Sequence, residues 1–479
     1  MGITGFYSWI LNNYPDCLKK QSYPKTPIFY NHIYIDLNYL LHMCTYNSPT
    51  IKMTINKIIS MITEICGNYH ALDTINICCD GSAPLAKLFL QRFRRLQEAR
   101  NIYLNNNTDL SNSSLNFTPG SVFMNELHNV LSHLKSKLES SLNVKVNINN
   151  LESGEAEIKI KYLINKHNDE NSLSTHLLVT NDADVLLIIS ATKLYKNLNV
   201  LLKGNQILSL DILIDLHSNK YGKSQNPQYD FSFLNLLNGN DYLPKLRYSS
   251  IDKIWDSYKT KLHKHKNGLI LNKDSKTGRF EINGEFLHDI LKSLISKISP
   301  TVLKKTKLFE YKFTDYTKYV DGLIWCFQMY FEGRCNYNSY VYDSENSPDP
   351  ILLMMHLMKN NINQHFTLQP TKPICNNLCS ILLLPNIARK LIDAKYYEFM
   401  DKHAYLYEEE KCKLCLNFSK SMSELNQKYK ETEFEDSSLR KTITSTQRAY
   451  ESHRDKHIKL TSDDIEKIKL EYDNLFIKN

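Results

Sequence analysis

The sequence predicts an α/β fold, with a central, mostly parallel sheet flanked by helices, and three observations predict it. Short β-type runs alternate with helical stretches over the first 250 residues. The runs are almost continuously apolar, as strands covered on both faces are. Three of them end in aspartate, and in open parallel sheets the site lies outside the carboxyl ends of the strands. Ile33-Tyr34-Ile35 is the first run and ends in Asp36. Helical stretches over Ile51 to Ile65 and Leu85 to Tyr103 flank the second run, Thr74 to Cys79, which ends in Asp80. His176 to Thr180 is the third, and Asn181-Asp182-Ala183-Asp184 follows it. Asn105 to Asn116 is Asn- and Ser-rich and reads as a loop. Lys259 to Lys276 is basic and polar, and is expected to loop out. Thr301 to about Ala394 is aromatic and mixed in pattern. The remainder is highly charged, with an amphipathic helix expected over Leu460 to Ile477.

Composition narrows the class. Hydrophobic residues make up 42% and charged residues 23% of 479, near the globular average. With 14 Gly and 14 Pro, the chain is too poor in both to be collagenous or linker-dominated. The densest apolar stretch, Leu177 to Ile189, carries Asn181, Asp182 and Asp184, so no transmembrane helix is expected. The N-terminal residues lack a signal-peptide plan and a myristoylation pattern, so secretion and membrane attachment are not expected. Eleven cysteines, several in apolar runs (Cys78, Cys79, Cys326), read as free thiols of a reducing compartment. Cys375-x3-Cys379 with Cys412-x2-Cys415 comes nearest a metal pattern. Its irregular spacing and apolar surroundings favour packing and exposed thiols over a structural zinc. Net charge is 59 − 51 = +8, which suggests a polyanionic partner. Frequent Asn, Lys and Ile suit an AT-rich coding genome, such as that of a virus or protist.

The informative constellation is acidic. Asp36, Asp80, Glu155 with Glu157, Asp182 with Asp184, and Asp241 each stand at the edge of an apolar run or in a Gly-containing turn. A lone Asp in such a place is usually a cap or a turn. Seven carboxylates converging on one pocket could not all ionise unless cations neutralised them, and hard divalent ions with oxygen ligands do so. At strand spacing, Asp182 and Asp184 would point to the same side. Glu155 and Glu157 can share a site only from a helix's first turn, where Ser153-Gly154 would place them. After Asp80, Pro84 suits a helix start. Lys87, Gln91, Arg94 and Arg95 then fall on one helical face, which could hold a terminal phosphate. Arg92 and Arg100 are left as a solvated remainder.

The order of motifs resembles the Xrn-type 5′→3′ exoribonucleases, within the PIN/flap-endonuclease-like nuclease superfamily. The matching segments are MGITGFYSWILNNYP, YIDLNYLLHMC, CCDGSAPLAKLFLQRFRR, FTPGSVFM, SGEAEIKI, LLVTNDADVLLII and LLNGNDYLP. GLILN, FEINGEFLHDIL, DGLIWCFQMYFEG and LCSILLLP continue them, in unbroken order over residues 1 to 395. The resemblance implies a PIN-like Rossmannoid catalytic domain over 1–297, a second family region packing on it over 298–395, and a charged, largely helical segment over 396–479. It also implies that Asp36, Asp80, Glu155, Glu157, Asp182, Asp184 and Asp241 ligate two Mg²⁺ ions (or Mn²⁺), with Lys87 among the catalytic groups. Lys87, Gln91, Arg94 and Arg95 would hold a 5′-monophosphate, and His42 would stack on the first base.

The family's Ser-Trp-x-Trp segment reads Asn336-Tyr337-Asn338-Ser339 here, so the second stacking ring is either Tyr337 or missing. Ser153-Gly154 stands where Pro-Gly is expected. The implied activity is processive 5′→3′ degradation of single-stranded RNA bearing a 5′-monophosphate, such as decapped mRNA, to nucleoside 5′-monophosphates by two-metal hydrolysis. The enzyme would be a cytoplasmic monomer, with nucleus or virion as other locations. A flap-endonuclease-like DNA nuclease and a non-catalytic RNA-binding scaffold are the alternatives. The first would need a duplex-binding clamp after Asp241, and the second would not need seven intact acids.

Overall fold

Strand pairing in the chain follows the alternation of apolar runs. The computed structural model describes all residues except 1, 2, 4, 21–25, 46, 47, 49, 105–109, 111, 112, 183, 274–279, 304–313, 345, 346, 365–368, 433, 435, 455, 456, 458, 459, 478 and 479. A seven-stranded sheet is built from β1 (Leu18–Lys20), β2 (Ile28–Asp36), β3 (Tyr69–Cys78), β4 (Lys145–Asn149), β5 (His176–Val179), β6 (Leu198–Leu202) and β7 (Gln206–Ser209). Their spatial order is β1-β7-β6-β5-β2-β3-β4. The five from β6 to β4 are parallel, and β7 and β1 close one edge antiparallel. The chain therefore winds outward from β2 through β3 to β4, then returns to lay β5 and β6 on the other side of β2. That reversal opens a crevice at the carboxyl ends of β2 and β5.

Pleating sorts the strand residues between two cores. Ile33, Ile35, Ile75, Ile77, Leu177 and Val179 point to one face, where α2 (Leu37–Thr45), α3 (Ile51–Asn68) and α5 (Val122–Leu142) cover them. Tyr34, Cys78, Leu178 and Val200 point to the other, against α6 (Ala156–Glu170), α7 (Val185–Ser190) and the helix Tyr316–Glu332. Both faces are thus buried, as the near-continuous apolar runs require. The mixed α/β expectation holds. The sequence shows only the three strands that end in aspartate. The edge strands β1 and β4, and β6 and β7 between β5 and β1, carry no such signal.

A third core lies apart from the sheet. Leu85 and Leu88 of α4 (Leu85–Leu104) pack with Leu378, Ile381 and Leu382, and with Tyr396, Phe399, Leu406, Ile465, Ile468 and Tyr472. The charged C-terminal segment is therefore joined to the rest of the chain through α4. Its amphipathic helix spans Ser462–Phe476, close to the expected Leu460 to Ile477.

Two expectations fail here. The basic stretch from Lys259 does not loop out as a whole: Lys259 and Lys261 end the helix Ile251–Leu262, and Ile270–Lys273 is a strand. Positions 274–276 lie outside the described residues. Arg92 and Arg100 are not a solvated remainder either. Arg92 donates to the carbonyls of Leu382 and Leu406. Arg100 is 0% exposed and bonds Tyr450 and Glu409. Of the expected loop over Asn105 to Asn116, residues 105–109, 111 and 112 lie outside the described residues, and Ser114–Phe117 forms a 3₁₀ turn. No helix among the described residues is long and apolar enough to cross a membrane.

Candidate active site

Three adjacent parallel strands deliver carboxylates to the crevice. Asp36 is the last residue of β2, 7% exposed. Its Oδ1 accepts from the amides of Asn38 and Tyr39 (3.0 and 3.4 Å), and its Oδ2 from the Thr180 hydroxyl (2.8 Å). Thr180 Oγ1 also accepts from the Asp182 amide at 3.2 Å, so one hydroxyl ties the ends of β2 and β5 together. Burial, with Asp80 and Asp182 nearby, raises the Asp36 carboxyl to about 7 against the pull of those hydrogen bonds.

Asp80 and the glutamate pair meet through their loops. Gly81 N donates to Gly154 O (2.8 Å) and Gly154 N to Ser82 O (2.9 Å), which forms a short rung between the two turns. Gly81 is required by proximity, because a Cβ there would sit 2.0 Å from Glu152 O. Lys159 fastens the same loops, with its Nζ donating to the carbonyls of Cys79, Asn149 and Glu152 (2.9, 3.3 and 2.7 Å). Asp80 Oδ1 accepts from Ala156 N at 2.9 Å, at the start of α6. Glu155 is the N-cap of α6 and Glu157 lies in its first turn, as the spacing required.

Asp182 and Asp184 come together by a different route from the expected one. β5 ends at Val179, so neither lies on a strand. Asp184 caps α7, and its amide donates to Asp182 Oδ1 at 3.0 Å. Both Asp184 oxygens accept from Ile3 N (2.9 and 3.1 Å), which brings the N-terminal segment to the site. Burial and Asp182 push Asp184 up to about 7. Asp241 stands in the turn after the 3₁₀ segment Leu236–Asn238.

Lys87 is the hub. Its ammonium contacts Glu155 and lies 3.3 Å from Glu157 and 3.6 Å from Asp241. Burial alone would lower its pKa, but Glu155, Glu157, Asp80 and Asp241 outweigh it and hold the pKa well above the usual value. Burial likewise drives Glu157 well upward and Glu155 upward, against the opposing pull of Lys87. Glu155, 1% exposed, also accepts from the Tyr242 hydroxyl. Arg94 bonds Asp241 at 3.2 Å, and Arg95 donates to Ser114 Oγ at 3.3 Å. Gln91 Oε1 and Arg95 Nε are buried without a hydrogen-bond partner among the described residues. Lys87, Gln91, Arg94 and Arg95 thus fall on one face of α4, and Arg92 and Arg100 are held on another.

His42, exposed on α2, faces Phe117 edge-on at 5.5 Å. Tyr337 is half-buried against the first core, in a bridge with Thr371. Sequence reading missed Thr180, Tyr242, Phe117 and Lys159. All four lie inside the motif segments; Thr180, Tyr242 and Lys159 stand within two residues of a site acid, while Phe117 has no acid beside it in the sequence.

The cysteine pairs also part company. Cys375 caps the helix Asn376–Leu383 and Cys379 is buried within it. Cys412 and Cys415 lie instead with His453 and His457, all four ligand atoms within 4.8 Å of one another. The pairing weighed in the sequence is therefore the wrong one, because the partners of Cys412 and Cys415 are histidines.

Residues 1–203 match the family model described as XRN 5′-3′ exonuclease N-terminus. Among curated proteins, the chain is 27% identical over 213 residues to 5′-3′ exoribonuclease 1 of Schizosaccharomyces pombe. That alignment covers 39% of this chain and 16% of the relative. It is 27% identical over 251 residues to a putative 5′-3′ exonuclease of Acanthamoeba polyphaga mimivirus, covering 45% of this chain and 39% of the relative. Both alignments thus span well under half of the relatives' length. Among solved structures, the Rad2 catalytic core in complex with DNA substrate aligns at a TM-score of 0.34 and 12% identity. It covers 85% of this chain and 99% of that one.

Proposed function

From the resemblance of residues 1–203 to the N-terminal region of the Xrn-type 5′→3′ exonucleases, we propose that this chain is a divalent-metal-dependent, processive 5′→3′ exoribonuclease. Its substrate is single-stranded RNA with a 5′-monophosphate, and its products are nucleoside 5′-monophosphates. The observation that carries the reading is the convergence of Asp36, Asp80, Glu155, Glu157, Asp182, Asp184 and Asp241 on one crevice, beside a cationic face of α4.

The donor set fits hard divalent cations. It is all oxygen, too acidic to ionise fully by itself, and compensated on one side only by Lys87 and Arg94. Two such ions, Mg²⁺ or Mn²⁺, would be held by these seven acids and would supply an activated water and charge stabilisation for the leaving oxygen. Thr180 and the Asn38 and Tyr39 amides orient Asp36, and the Ile3 amide orients Asp184. Tyr242 and Lys87 orient Glu155. Lys87, Gln91, Arg94 and Arg95 bind the terminal phosphate and fix the one-nucleotide register, with Arg95 contributing an Nε–H that has no partner among the described residues. His42, with Phe117 or Tyr337, stacks on the first base.

The test uses RNA labelled at its 3′ end and carrying a 5′-monophosphate, 5′-triphosphate or 5′-hydroxyl, with Asp182→Ala/Asp184→Ala protein as control. Conversion of the monophosphate RNA alone to mononucleotides, with an inert control, is the expected result. Equal decay of all three would remove the phosphate assignment. Binding without decay would make the chain a scaffold.

A further inference from the structure

We propose that Cys412, Cys415, His453 and His457 form a structural Zn²⁺ site that clamps together the two helices of the C-terminal hairpin packed behind α4. Cys412 is the N-cap of the helix Lys413–Glu431, and Cys415 lies in its first turn. His453 is in the last turn of the helix Ser437–Arg454, and His457 follows it. The two helices thus bring a Cys-x2-Cys pair and a His-x3-His pair to the open end of one hairpin.

The sulfur and nitrogen atoms lie close enough together to share one ion. Cys412 Sγ lies 3.3 Å from His453 Nε2, and Cys415 Sγ lies 3.2 Å from His457 Nε2. All four ligand atoms fall within 4.8 Å of one another. Ligand bonds of about 2.3 Å to sulfur and about 2.0 Å to nitrogen bring such atoms roughly 3.3–3.8 Å apart. Two thiolates and two imidazoles select Zn²⁺ over the hard cations that suit the carboxylate crevice. Four protein ligands leave no open position, which makes the site structural.

The hairpin also needs such a staple. Among the described side chains of its two helices, only Cys415 and Tyr450 are buried. That leaves little apolar burial to hold 19 and 18 helical residues in place. Phe418 packs against the Tyr450 and His453 rings inside the hairpin, and polar contacts among the described residues tie it to α4. Tyr450 accepts from Gln97 (2.6 Å) and from Arg100, and Ser419 Oγ donates to Gln97 at 3.5 Å. Glu409, three residues before Cys412, accepts from Arg100 at 2.9 Å. A Zn²⁺ ion here would fix the inner wall against which α4 sets its other face.

The test is on the full chain, purified without added metal or chelator. Elemental analysis is expected to find one Zn²⁺ per chain, retained on gel filtration with excess Mg²⁺ and released by a thiol-modifying mercurial. Cys412→Ser/Cys415→Ser protein should lose it, and Cys375→Ser protein should keep it. Because the double variant could fail to fold, the wild type is also loaded with Co²⁺. The intense visible absorption of a tetrahedral thiolate site is expected. Weak octahedral absorption would overturn the proposal, as would wild type devoid of Zn²⁺ or Zn²⁺ retained by the double variant. None of these readouts depends on nuclease activity, so they stand or fall apart from the carboxylate site.

Discussion

At Lys87, one ammonium answers Glu155, Glu157 and Asp241 at once, and it is 12% exposed. Lys87→Met would leave Glu155 buried with the Tyr242 hydroxyl as its remaining partner. We expect metal-free protein to lose roughly 3–5 kcal/mol of stability, the cost of breaking a buried pair from one side. Urea denaturation with and without Mg²⁺ checks this, and the loss should shrink when Mg²⁺ is present. Asp36 and Asp184 give a pH signature. Each holds its proton to about pH 7 in the folded chain, against an ordinary value of 3.8. The folded state is therefore favoured at low pH, and that advantage is lost as pH rises toward 7. Cations that need both carboxylates ionised must displace these protons. The gain in Tm on adding Mg²⁺ should be large at pH 8 and small at pH 5, and an equal gain at both would contradict the shared cation site.

Among the elements, the rung between the Asp80 and Glu155 turns sets the spacing of the site without contributing charge. Gly81→Ala would drive a Cβ into Glu152 O and part the turns. Activity should fall at least tenfold with every carboxylate still present, and Tm should fall too because the clash is with backbone, as paired rate and melting measurements would report. This rung was not legible in the sequence, where Gly81 and Gly154 are two unrelated turn residues. The acids themselves were legible, because an apolar run ending in Asp states both the strand and the end at which it emerges. The Asp182 and Asp184 pair was found for a wrong reason, since the strand stops before them and a helix cap turns them together. Arg92 and Arg100 were misread because helical spacing shows which residues share a face and not what covers it. Their partners are residues 382, 406, 409 and 450. The Cys412 cluster was missed for the same reason, since a whole hairpin separates its sulfur and nitrogen donors.

The molecule as a whole is held to α4 from two sides, with sheet and carboxylates on one and the third core on the other. A chain ending at residue 395 would lose Tyr396, Phe399, Met400, Leu406, Tyr407, Ile465, Ile468 and Tyr472 from that core. At roughly 1.5–3 kcal/mol per buried side chain, the loss rivals the ~5–15 kcal/mol by which a native protein is stable. The truncated chain should be insoluble or melt far below the full one, which expression and thermal melting would show. The same arrangement has a consequence in time. The bonds that seat Arg92 and Arg100 join residues 290 to 350 positions apart. At about 5–20 residues per second of synthesis, α4 leaves the ribosome roughly 15–70 s before the residues that support it. The helix carrying Lys87, Gln91, Arg94 and Arg95 reaches its final setting only once residues 382 to 450 have been made, so a shorter nascent chain carries the acids of the site without the completed wall beside them.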